Sequence, residues 1–235
     1  TGRSPTIAQI WKSVRHRDFS RQVRNFLWKS IHGAHRIGAF WSHIPDCEDR
    51  QNCTHCGVEE DLEHIFLQCS RPGRSEVWSL AESLWAKKHP TWPTLTLGNV
   101  LGCALSQIRD EKGRNLEGTS RLFRILISES MFVIWKIRNE STIHNDGAAL
   151  WTPQIQNKWL SAMNQRLQED ILSSRSRQGR RAKVAPPLVR ETWSLVLQDE
   201  ETLPDNWLTA PRVLVGIELR NTPPPSPMPS GSRGL

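Results

Sequence analysis

The sequence has no tyrosine, only three methionines and no apolar run long enough to cross a bilayer. Its five cysteines are few and odd in number, and its first residues lack the basic, apolar and small-residue zones of a secretory signal. These absences argue against a membrane-spanning helix, a disulfide scaffold and a secreted chain. They predict an intracellular protein, nuclear or cytoplasmic, with reduced thiols. Hydrophobic residues make up 37% of the 235 positions, below the roughly 45–50% usual for globular domains. A core is affordable, with a good part of the chain left to loop or disorder.

What is abundant is tryptophan, eleven residues set mostly among aliphatic neighbours and read as packing anchors, and positive charge. The formal charge is +7 and the pI about 9.5. Such a balance favours an anionic partner, RNA or DNA first. The charge is also segregated. Up to Arg36 there are eight basic residues (Arg3, Lys12, Arg15, Arg17, Arg21, Arg24, Lys29, Arg36) against one acid, Asp18. From Asp46 to Glu63 seven acids face Arg50 alone, and a second basic run follows at Arg175, Arg177, Arg180, Arg181 and Lys183. Separate faces with separate partners are expected.

Periodicity predicts a mainly α, irregular helical domain. Helical spacing appears over 6–16, over 20–32 with Gly33 as the stop, over 62–69 and over 75–89, which Pro90 and Pro93 end. The stretch 36–45 reads as a short helix or turn, and 94–108 is apolar but of unsettled type. The longest apolar run, 119–140, is broken by Arg121, Arg124 and Glu129 and reads as a buried helix. Ile155, Trp159, Met163, Leu167 and Ile171 repeat every four residues, an amphipathic stripe expected to pack on it. A further helix is expected at 186–198, a short strand at Val213–Ile217, and a disordered Pro- and Ser-rich tail from 221 to 235. The organisation expected is basic helices and a cysteine-rich module over 1–90, a helical domain with a basic linker over 91–220, and the tail.

The most specific signal is Cys53-x2-Cys56-x7-His64-x4-Cys69. A Cys-x2-Cys turn aims two sulfurs at one point, and Gly57 follows where such a turn needs positive φ. Three thiolates and one imidazole complete a tetrahedron around one Zn²⁺. Four protein ligands leave no position for a reactive water, so the predicted zinc-knuckle-like insert is structural. The neighbouring Glu59, Glu60, Asp61 and Glu63 are expected to face solvent rather than hold a catalytic metal. Cys47 and His55 remain alternative ligands, and Cys103 reads as a core residue.

These motifs, in order, are HRIGAFWSHIP at 35–45, the Cys-x2-Cys-Gly turn, the acidic spacer, EHIFLQC ending at Cys69 and the Trp-bearing EVWSLAESLW at 76–85. In this order they resemble the zinc-binding C-terminal region of non-LTR retrotransposon reverse transcriptases, the fungal type in which the module follows an RNase H domain. WPTLTLGNVLGC, SRLFRILISESMFVIWKIRNE and the LPDNW to VLVGIE ending are similar too, so the resemblance spans residues 6 to about 218. It implies that Cys53, Cys56, His64 and Cys69 bind the metal and that the chain is a non-catalytic accessory module that helps a parent polymerase engage nucleic acid. The sequence has no Asp-Asp pair flanked by apolar residues, and no recognisable RNase H carboxylate quartet.

Three functions follow as expectations. In the first, Arg15, Arg17, Arg21, Arg24, Lys29 and Arg36 contact phosphates, with Trp28, Trp41, His32 and His35 as stacking surfaces. In the second, the chain is a zinc-stabilised scaffold whose acidic face docks a basic protein, such as the parent polymerase. In the third, it is a remnant of an RNase H or reverse transcriptase polyprotein. No small-molecule substrate and no membrane are expected.

Overall fold

A computed structural model describes residues 4–144, 150–175 and 182–217. Arg177, Arg180 and Arg181 of the basic linker and the 221–235 tail lie outside the described residues.

The architecture is mainly α. Helix α1 (Ile7–Val14) starts at a reciprocal cap, with the Gln9 amide donating to Thr6 Oγ1 and the Thr6 amide to Gln9 Oε1. Helix α2 (Arg21–Ile31) is capped by Ser20 and ends before Gly33, whose φ of +59° no L side chain adopts cheaply. Helix α3 (Arg74–Ala86) opens at Gly73, where a Cβ would lie 2.8 Å from Ile137. The stretch of unsettled type resolves into a short helix, α4 (Leu97–Leu101), and one 3₁₀ turn that buries Cys103. Helices α5 (Glu117–Asn139) and α6 (Thr152–Ser174) are the two long elements, and α7 (Pro186–Trp193) begins on two prolines that need no amide partner there.

Helix α5 is the axis of the fold. Fifteen of its 23 residues are buried, so it is covered on most sides, by α2, α3, α6 and α7. The α6 stripe (Ile155, Trp159, Met163, Leu167, Ile171) is buried against this body as its period required. The Trp159 indole NH is satisfied by Ser130 Oγ of α5 at 2.8 Å. Buried apolar side chains from Val14 to Val215 form one cluster.

Among the described residues, β structure is limited to three isolated bridges. The expected strand at Val213–Ile217 is one of them, Leu197 with Val215. No helix of the described residues is long and apolar enough to cross a membrane.

The charges that interrupt α5 have found buried partners. Arg121, 1% exposed, donates to Asp18 at 2.8 Å and to both oxygens of Asp170 at 2.5 and 2.8 Å. Arg124 also reaches Asp18, Arg166 reaches Asp170 at 3.1 Å, and the Trp193 indole NH donates to Asp170 at 2.9 Å. Asp18, the lone acid of the N-terminal basic segment, is therefore a tether between the α1–α2 turn and α5.

Candidate metal centre and adjoining groove

The segment between α2 and α3 has little regular structure, and a local hydrogen-bond set shapes it. Asn52 and Glu59 bridge, Cys53 donates its amide to Val58 at 2.8 Å, and Gly57 donates back to the Cys53 carbonyl at 2.8 Å with φ at +72°. This is the tight turn that carries Cys53 and Cys56. Asp61 then accepts the His64 amide at 2.6 Å and starts the next turn.

The expected short helix is present, and its His64–Gln68 part takes the π form, closed by the Cys69 amide on the His64 carbonyl at 2.7 Å. That form has a chemical consequence. On an α-helix of 3.6 residues per turn, positions five apart diverge by about 140°. The wider π turn brings them toward one side, where His64 and Cys69 meet. The Trp78 indole NH holds the turn through the Phe66 carbonyl at 2.8 Å.

The ligand atoms of Cys53, Cys56, His64 and Cys69 all lie within 4.8 Å of one another. Cys69 Sγ is 3.8 Å from Cys53 Sγ and 3.7 Å from Cys56 Sγ. The edge of a zinc–thiolate tetrahedron with bonds of about 2.3 Å is roughly 3.8 Å. His64 is 4% exposed, and its Nε2 is buried with no hydrogen-bond partner, a cost of about 1–3 kcal/mol unless a ligand satisfies it. The thiols are already polarised against one another. Burial acts to raise Cys56, but hydrogen bonding to Ser70 and to Cys69 carries it down to about 7. Burial, with the neighbouring Cys53 and Cys56 sulfurs, pushes Cys69 up to about 12. Three crowded sulfurs cannot all ionise without a cation among them. The residues present fit one metal ion, and the donor set suits zinc.

Cys47 and His55 are not part of the cluster. Cys103 is fully buried in the core, which pushes its thiol up to about 12. Among the described residues, no second group of three or more His, Cys, Asp or Glu side chains converges. The acidic spacer departs from its expected exposure at one residue. Glu60 is buried and paired through both oxygens with Arg138 of α5. Gly38 packs against it so closely that a Cβ would lie 2.5 Å from the Glu60 carbonyl.

Two more arginines fasten the insert to the body. Arg71, 5% exposed, donates to Thr54 of the cysteine turn and to Ser141 and Thr142 just past α5. Arg74 Nε donates to the Cys69 carbonyl at 2.6 Å. Neither was legible as a site residue, although Arg71 lies only two positions beyond the last ligand.

The insert, α2 and the end of α5 together enclose an open groove of about 1010 Å³. Lys29 and Arg36 line it, joined by Arg50, Arg138, Trp41 and Trp135. Arg15, Arg17 and Arg21 are exposed but are not among its lining residues. Arg24 is half-buried and donates to the Arg17 carbonyl at 3.5 Å. Trp28 is 47% exposed and packs on His32 with ring centroids 4.1 Å apart, outside the groove. His35 is inside it, packed between Phe26 and Trp135.

Comparison with family models, with curated proteins and with solved structures finds no match.

Proposed function

We propose that this chain is a non-catalytic, zinc-stabilised module that binds nucleic acid, an accessory segment of a retrotransposon reverse transcriptase. The observation that carries the binding is the groove. The insert brings Arg50 into the groove that Lys29 and Arg36 also line, so cations from separate stretches of sequence share one concave surface. The motif resemblance supports the placement beside a polymerase. Four protein donors fill a tetrahedral metal, so the zinc stabilises the fold and carries no reaction.

The test is a filter-binding titration of the zinc-loaded chain with RNA and DNA at rising salt. Log affinity should fall linearly with log salt, with a slope of about −0.7 to −0.9 per neutralised phosphate. A flat plot, or no binding, would sink the proposal.

A second reading, a protein-interaction scaffold, has one observation in its favour. The exposed Trp11 of α1 and Trp28 of α2 both pack on His32, an apolar surface where the two helices meet. The no-binding outcome would favour it.

A further inference from the structure

We infer that the groove between α2, the zinc insert and the end of α5 takes single-stranded nucleic acid, with bases stacked on Trp41 beside Arg50 and on Trp135. The inference rests on the nucleic-acid reading above and specifies the form of the substrate and the residues that hold it.

The groove carries a surplus of positive charge. Lys29, Arg36, Arg50 and Arg138 face the groove, against the carboxylates of Asp49 and Glu60. Glu60 is already neutralised by Arg138, so the unpaired surplus is positive. The groove also offers flat surfaces. The Arg50 guanidinium lies over the Trp41 ring at 5.2 Å from its centroid, and the Arg138 guanidinium over Trp135 at 5.7 Å. Trp135 continues into His35 and Phe26, at 4.6 and 5.2 Å. Beside the Arg50 charge, the Trp41 ring offers a face on which an unpaired base can stack next to its own phosphate; the Arg138 charge is held by Glu60, so Trp135 contributes its ring alone. In a duplex those base faces are covered by their neighbours, leaving only phosphates to be read.

The shape of the groove fits as well. A volume of about 1010 Å³ sits at the upper end of the roughly 300–1,000 Å³ typical of small-ligand pockets. The groove is open rather than closed over, as a through-running strand requires. Polar side chains that can meet base edges also line it, among them Asn25, Asn52 and Asn139.

The experiment uses the zinc-loaded full chain and fluorescein-labelled oligo(U), oligo(dT) and a mixed-sequence DNA duplex of equal length, read by anisotropy. Both single strands should bind more tightly than the duplex, by about tenfold. Trp41→Ala should weaken single-strand binding by about tenfold, the scale of one lost base stack, and leave duplex binding within about twofold. Arg36→Gln with Arg50→Gln should weaken all three and lower the salt slope. A combined Arg15→Gln, Arg17→Gln and Arg21→Gln variant should weaken single strand and duplex alike, through charge alone. Zinc content and circular dichroism confirm that each variant is folded, and Trp41→Phe should restore most of the stacking.

Equal affinity for strand and duplex, or a folded Trp41→Ala chain that binds single strands normally, would overturn this inference while leaving the broader nucleic-acid reading in place. No binding of any oligonucleotide by the wild type would overturn both.

Discussion

Two polar clusters hold this molecule together, and they differ in reach. The cysteine–histidine cluster draws its four ligands from seventeen consecutive residues, Cys53 to Cys69. The cluster around Arg121 draws on Asp18, Asp170 and Thr192, residues 103, 49 and 71 positions away. The first closes short loops, so its organisation costs little chain entropy, and an ion held there would supply its energy through metal–ligand bonds. The second exists only after the helices have packed, and its charges are tolerable only because each has a partner. One cluster organises a segment with no apolar core of its own; the other is organised by the core around it. The Glu60–Arg138 pair ties the insert that carries the first to α5, the helix that carries Arg121.

The largest expected effect breaks the local cluster alone. Replacing Cys53 and Cys56 by Ser should take zinc content, by mass spectrometry, from one per chain to none. Hydrogen exchange should then rise across 47–71 while α5 and α6 stay protected. Uniform loss of protection would show that the body depends on the metal too.

Next comes the long-range cluster. Asp170→Asn leaves Arg121 buried with half its partners, and should cost about 3–5 kcal/mol in chemical denaturation. Zinc should remain at one per chain. Asp18 adds a pH signature. Its burial opposes ionisation, but Arg121 and Arg124 outweigh that and hold its carboxyl below the usual range. Its contribution is therefore complete above the unfolded value of about 3.9 and is lost as pH falls through the lower folded value. The stability gap between wild type and Asp18→Asn should be full at pH 6 and close below about pH 4. A gap that widens in acid would contradict the assignment.

Glu60→Gln cuts the link between the clusters. A lost charge-assisted pair of this kind should cost about 1.5–3 kcal/mol, with zinc retained but released faster to a chelator. Unchanged release would mean that Arg71 and Arg74 hold the cysteine turn without the Glu60 pair. The smallest effect is expected at Arg15, which is exposed and in neither cluster. Arg15→Gln should move stability by no more than about 0.5 kcal/mol.

Much of this was readable in advance because it is local. Helix periods over 6–16, 20–32, 75–89, 119–140 and beyond Pro153 depend on near neighbours, and each became a helix. The ligand spacing Cys-x2-Cys-x7-His-x4-Cys is equally local, and it located four donors that do converge. The π turn was not legible. The same residues would read as an α-helix, and the Cys69 to His64 bond that widens the turn, like the Trp78 bond to the Phe66 carbonyl that steadies it, appears only in the fold.

By itself, then, the sequence determined the helices and the spacing that gathers four candidate metal donors, because periodicity and ligand spacing act within a few turns of chain. Only the tertiary structure decided which charges are spent and which are free. Arg121 and Asp18, indistinguishable in sequence from surface charges, are consumed inside the core. Arg50, isolated in an acidic stretch, is brought into the same groove as Lys29 and Arg36. Burial and pairing depend on residues up to a hundred positions apart, and no local pattern records which of them will meet.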